Sequence, residues 1–497
     1  MASCQNNLDL NELFSIHSPI FSFAASQTVD MHIHKIPFFL VLALQTLLVG
    51  AQGHTKLATA YGNFTHDPQM KNGISSLLVV DAATGKLVFA SNEQVGLAPA
   101  STLKVVTAAT AFELLGPGFI FKTPFSYTGN IENGVLEGDI IITASGDPTS
   151  GSWRYGATKN FAQLAQLANA FSAAGIQSWK GKFMVDESPF GTQATPGGWT
   201  FDDMGNYYGA GPSGFNWYEN QYDLVLKPGQ SEGQPVKIEG TRPIANALEL
   251  VNELTSGPKG SGDRAIIYPD RWPGGTVRGT VPAGVSSFTI SGSIADPLGY
   301  FQKSLNQYGA ANGYPLLQSA QMAPLASNKG VQPSKTLTTF QSPGLDSIVY
   351  FFLQKSINLY GEALVKQLAL KAGKLANTDE GVDQVRAFWQ GKGIEKSALK
   401  IVDGSGLSPH NRVTASTLVK VMQYARNKTW YPAFYEGLPL INGIKMKSGS
   451  ISGVRAYTGY IKSSNGSEYI FAFMVNNFDG TSSSIMQKMF TVLNSLK

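Results

Sequence analysis

The sequence predicts a mixed α/β (α+β) protein in which a helix-rich, strand-edged domain is interrupted by a long β-rich insertion. Three observations carry this. Helical periodicity is confined to about 101–115 and to the stretch after 342. Short β-like runs separated by Gly/Pro turns fill 121–319, and the last fifty residues alternate between strand and helix patterns. The 497 residues supply about three domains' worth of chain.

Residues 31–51 read MHIHKIPFFLVLALQTLLVGA. A basic start at Lys35, an apolar run from Ile36 to Val49 and small residues at Val49-Gly50-Ala51 are the parts of a secretory signal cut after Ala51. The run falls short of the ~20 residues that a spanning helix needs. Met31 opens the segment, so residues 1–30 read as an upstream start-site artefact or an atypical leader. Next, 75–81 and 86–90 flank Ala82-Ala83-Thr84-Gly85 as a hairpin. A helix follows Pro99 and ends at Leu115, before Gly116-Pro117-Gly118. Turns such as Pro196-Gly197-Gly198 and Pro273-Gly274-Gly275 punctuate the middle, which is expected to hold few long helices. Helices are expected over 342–376, 379–391 and 414–427, strands over 455–461 and 469–475, and a last helix over 483–496. The division is therefore 1–51 leader and signal, 52–120 first part of the main domain, 121–319 insertion, and 320–497 second part.

Composition narrows the chemistry. Charged residues are 14%, hydrophobic residues 43% and the net charge is +4 with no basic run, which argues against disorder and against nucleic-acid binding. The single cysteine, Cys4, precedes the folded region, so no disulfide framework or cysteine zinc site is available. Of six histidines, only His66 and His410 lie clearly in the body, so a histidine metal centre is not expected and a histidine-based triad has few candidates. No phosphate-cradling or dinucleotide-binding glycine pattern opens a helix, and no cofactor is implied.

Three short patterns remain. In Ser101-Thr102-Leu103-Lys104, a hydroxyl and an amine stand at i and i+3 on one helical face, and an unprotonated amine there can take the serine proton. In Ser356-Ile357-Asn358, a hydroxyl and an amide two residues apart converge only where the backbone bends. In Lys447-Ser448-Gly449-Ser450, a cation, a hydroxyl and a glycine at a strand edge suit a carboxylate. Alone, each also describes a capping serine, a polar break in a helix or a surface turn.

The order SxxK, SxN, K[ST]G resembles serine penicillin-binding proteins and class A β-lactamases. The long gap from Lys104 to Ser356, together with Gly146-Asp147-Pro148 and Asp403-Gly404-Ser405-Gly406-Leu407-Ser408, is similar to class C low-molecular-mass penicillin-binding proteins. These are the D-alanyl-D-alanine carboxypeptidases/endopeptidases of peptidase family S13, penicillin-binding protein 4 type. The resemblance runs from about residue 70 to the end. It implies a serine β-lactamase/transpeptidase-like domain, an antiparallel sheet with helices on both sides. It further implies that Ser101 is acylated, Lys104 is the general base and Ser356 relays a proton. Asn358 would hold the acyl side-chain amide, Lys447 and Ser448 would bind the substrate carboxylate next to Gly449, and the amides of Ser101 and Ser450 would form the oxyanion hole. Lys104 must then be largely neutral, through burial or a nearby cation such as Lys447. The Asp403–Ser408 run reads as a structural turn near the site. Implied ligands are peptidoglycan peptides ending in D-Ala-D-Ala and β-lactam antibiotics, in a bacterial periplasm or cell envelope. Alternatives are a β-lactamase or esterase on the same scaffold, or a non-catalytic cell-wall binding protein. Peripheral membrane contact and oligomeric state are left open.

Overall fold

The computed structural model describes residues 55–243, 250–269, 274–318, 321–324 and 334–497. The proposed signal and leader lie outside them. The elements that carry the site are β1 (Ile74–Asp81), β2 (Leu87–Ser91), α1 (Lys104–Leu114), α2 (Leu345–Gln354), α3 (Asn358–Lys371), α4 (Thr378–Gln390), α5 (Ala415–Arg426), β3 (Leu440–Ile441), β4 (Ile444–Ile451), β5 (Val454–Lys462), β6 (Glu468–Asn476) and α6 (Ser482–Asn494). They form a six-stranded antiparallel sheet in the order β3-β4-β5-β6-β1-β2.

Strand periodicity explains why this sheet has helices on both faces. In β1 and β6, Leu78, Val80, Ile470, Ala472 and Met474 pack with α1, α2, α3 and α5. Their neighbours Leu77, Val79, Phe471, Phe473 and Val475 pack with Ile485, Met489 and Leu493 of α6 and with Leu57 and Tyr61 of the helix over 55–65. Burial on both faces makes these strands read as continuous apolar runs rather than alternating ones.

The insertion enters and leaves side by side. Lys122–Tyr127 pairs antiparallel with Lys335–Gln341 at the edge of a five-stranded sheet. The boundary expected at 319/320 touches residues outside the described set, and the strand beyond it still belongs to this sheet. Two long helices, Asn160–Ala173 and Pro297–Asn312, depart from the expectation of a region poor in helix. Leu164, Leu167 and Phe171 at helical spacing pack on Phe125, Ile140 and Phe183 of the sheet, a pattern hidden by the surrounding turns. Two three-stranded sheets close a second core around Leu224, Leu254, Val277 and Ile290. The helix expected over 342–376 is two helices, because Ser356 sits at φ +58 between α2 and α3.

Candidate active site

The Ser101 turn is short and bent. A 3₁₀ turn, Ala100–Leu103, leads into α1, and Ala100 adopts φ +44, a left-handed conformation costing about 1–2 kcal/mol for a non-glycine residue. Two backbones hold it there. A Cβ on Gly406, itself at φ +82, would lie 2.0 Å from the Ala100 carbonyl oxygen. A Cβ on Gly449 would lie 2.6 Å from the Pro99 carbonyl oxygen and 3.0 Å from the Ser101 nitrogen. Only glycine lets β4 and the 403–408 turn approach the serine so closely.

Within α1 the next turn brings Lys104 Nζ to 3.0 Å from Ser101 Oγ. Lys104 is fully buried. Its ammonium also donates to Asn358 Oδ1 at 2.6 Å and to the Ser405 carbonyl at 2.7 Å. Burial lowers its pKa to about 7, against the opposing pull of the Asp403 and Glu362 carboxylates. Burial, rather than the Lys447 charge, is therefore the cause of the depression. The repulsion between the two lysines weighs on Lys447, which burial already pushes well below its ordinary value.

The bend at Ser356 places its hydroxyl 3.0 Å from Lys447 Nζ, which also donates to the Ser448 carbonyl at 2.9 Å. Lys447, Ser448, Gly449 and Ser450 follow one another along β4. Its neighbour β3 pairs only at Ile444 and Lys445, so among the described residues the outer edge of β4 beyond Met446 has no strand beside it. Ser101, Ser356, Asn358 and Ser450 line one cleft of about 660 Å³. The site residues named from the sequence thus come from three distant chain segments to one place.

The sequence reading missed what the insertion adds. Tyr208 offers its carbonyl to Asn358 Nδ2 at 2.7 Å, which turns Asn358 Oδ1 toward Lys104. Trp199 donates its indole N–H to Asp403 Oδ2 at 3.0 Å. Asp403 also accepts from the Gly406, Ser408 and Asn411 nitrogens, which makes the 403–408 run the expected turn while aiming its Ser405 carbonyl at Lys104. Further along the cleft, Tyr218, Glu219 and Asn220 stand at φ +55, +52 and +49. Arg154, Ser152 and Tyr360 all bond to the buried Glu219 carboxylate, anchoring this strained turn to α3. Lys366, nearly buried in α3, donates to the Gln193 and Pro212 carbonyls and ties the insertion down a second time. A backbone carbonyl such as that of Tyr208 leaves no sequence signal.

A serine–lysine couple beneath a sheet edge defines a serine acyl-transfer enzyme, and comparison with known proteins places it. The model of the D-Ala-D-Ala carboxypeptidase 3 (S13) family matches residues 57–496, and the chain belongs to that family. The chain is 25% identical over 457 residues to a D-alanyl-D-alanine carboxypeptidase of Actinomadura sp., covering 86% of this chain and 82% of that protein. It is 27% identical over 406 residues to the D-alanyl-D-alanine carboxypeptidase DacB of Haemophilus influenzae, covering 76% and 80%. The crystal structure of penicillin binding protein 4 from Haemophilus influenzae superposes with a TM-score of 0.71 at 20% identity, over 87% of this chain and 98% of that one, a likeness of fold.

Proposed function

We propose that Ser101 is the nucleophile and Lys104 the general base of this serine-type D-Ala-D-Ala carboxypeptidase. The observation that carries the assignment is the 3.0 Å contact between Ser101 Oγ and a buried lysine whose pKa lies near 7. A base poised near the working pH is the most effective one. Neutral Lys104 takes the Ser101 proton as Oγ bonds to the carbonyl carbon of the penultimate D-Ala. The oxyanion is received by the amides of Ser101 and Ser450. As the C–N bond breaks, Ser356 passes its proton to the departing amine and takes in its place the one that Lys104 removed from Ser101, so Lys104 is neutral again. D-Ala leaves, water attacks the ester with Lys104 again as base, and the serine is restored.

The substrate chain lies along the open edge of β4, with Asn358 holding its amide. Its terminal carboxylate sits at Lys447 and Ser448, and this negative charge favours the protonated form of Lys447. A β-lactam follows the same first step, except that the opened ring stays attached and the ester persists. Cleavage of a cross-link would use the same acyl-enzyme with a different leaving amine. Export to a bacterial periplasm or cell envelope rests on residues 31–51; no helix among the described residues is long and apolar enough to cross a membrane. The test is intact-protein mass spectrometry after benzylpenicillin treatment, with D-Ala release measured on a pentapeptide beside nitrocefin and a simple ester. One adduct, mapped to Ser101 and lost in Ser101→Ala, is expected. An adduct on any other residue overturns the assignment.

A further inference from the structure

Glu362 is fully buried on α3, one turn after Asn358 and on the same face. Its Oε1 accepts from the Ser405 nitrogen at 2.8 Å and the Gly404 nitrogen at 3.1 Å, and Oε2 accepts from Gly404 at 3.0 Å. Among the described residues no lysine or arginine stands within ion-pair distance of it. A fully buried carboxyl group with no cation beside it is costly, and its surroundings show what it supports. The amide that it grips at Ser405 belongs to the residue whose carbonyl receives Lys104 Nζ at 2.7 Å. The Gly404 carbonyl, one peptide earlier, accepts from Thr107 Oγ1 of α1 at 2.6 Å. The turn reaches Glu362 because both chains are bare there. A Cβ on Gly404 would lie 2.7 Å from the Gly361 carbonyl oxygen.

We propose that Glu362 is a positioning residue for acyl transfer: by gripping the Gly404 and Ser405 amides it fixes the carbonyl that aims Lys104 at Ser101. The proposal rests on the reading of Lys104 as general base. Glu362 acts by position more than by charge. The groups that bear on it are Lys104 from α1, Asp403 from the turn and Lys366 one turn along α3. Burial and Asp403 raise the Glu362 pKa to about 8, so on the acid limb of Lys104 it stands mostly as the neutral acid and holds the turn through its hydrogen bonds.

The test measures the second-order rate constant of acylation by a fluorescent penicillin from pH 5 to 9, in wild type, Glu362→Gln, Glu362→Ala and Lys104→Ala. Glu362→Gln keeps one acceptor oxygen for the turn, so its plateau stays within about threefold of wild type. Glu362→Ala releases the turn and lowers the plateau by about a hundredfold. An effect on folding alone would lower the yield of active enzyme without changing its rate constant, and Glu362→Asp, one methylene short of the turn, takes the place of Glu362→Ala if that variant does not fold. A wild-type plateau in the folded Glu362→Ala or Glu362→Asp enzyme overturns the proposal. If Lys104→Ala acylates at the wild-type rate, the base assignment itself falls, a result distinct from failure at Glu362 alone.

Discussion

The transpeptidase-like body and the inserted region contribute to one site in different chemical forms. The body supplies the side chains proposed to react or bind: Ser101, Lys104, Ser356, Asn358 and Lys447. The insertion supplies the Tyr208 carbonyl and the Trp199 indole, which hold Asn358 and Asp403 in place. The difference teaches that a region can shape a site through supporting contacts while the proposed reacting groups lie elsewhere in the chain.

That comparison can be broken or sharpened by experiment. Lys104→Ala should lower acylation by about a thousandfold, measured with labelled penicillin; a wild-type rate would deny the body its base. In wild type, acylation should fall about tenfold per pH unit below 7 and hold steady above it, because Lys104 must be neutral to act and its pKa lies near 7. A flat profile from pH 5 to 8 would contradict that assignment. Where α3 meets the insertion, Lys366→Met leaves the Gln193 and Pro212 carbonyls without their donor and should cost about 2 kcal/mol in urea unfolding, with faster proteolysis between them. Unchanged stability would mean that the latch is dispensable. Trp199→Phe removes one donor from Asp403 and should slow acylation about tenfold while leaving the bulk of the ring in place. No change there would reduce the insertion's part to Tyr208. Ser448→Thr, which adds a methyl group on half-buried β4, should alter the rate by no more than about twofold.

How much was legible in the sequence follows the same division. The three motifs were visible because the chemistry fixes residue types at short spacing. Ser101 and Lys104 need one helical turn between them, and Gly449 admits nothing larger. The strands β5 and β6 were legible to within a residue because burial on both faces makes them continuous apolar runs. The break at Ser356 was not, since a left-handed serine leaves the apolar periodicity of α2 and α3 nearly unbroken. Asn160–Ala173 was lost among the turn signals around it. The role of Glu362 had a faint trace in its i+4 distance from Asn358, whereas the Tyr208 carbonyl had none, since every residue carries one.

The crowding of the serine turn by Gly406 and Gly449 has an evolutionary reach. Any side chain at either position strikes main chain rather than a pliable neighbour. A substitution there cannot narrow the cleft from beneath the serine without displacing main chain. Room to reshape the cleft lies instead along its lining, to which the insertion contributes Asp202, Tyr207 and Ile266.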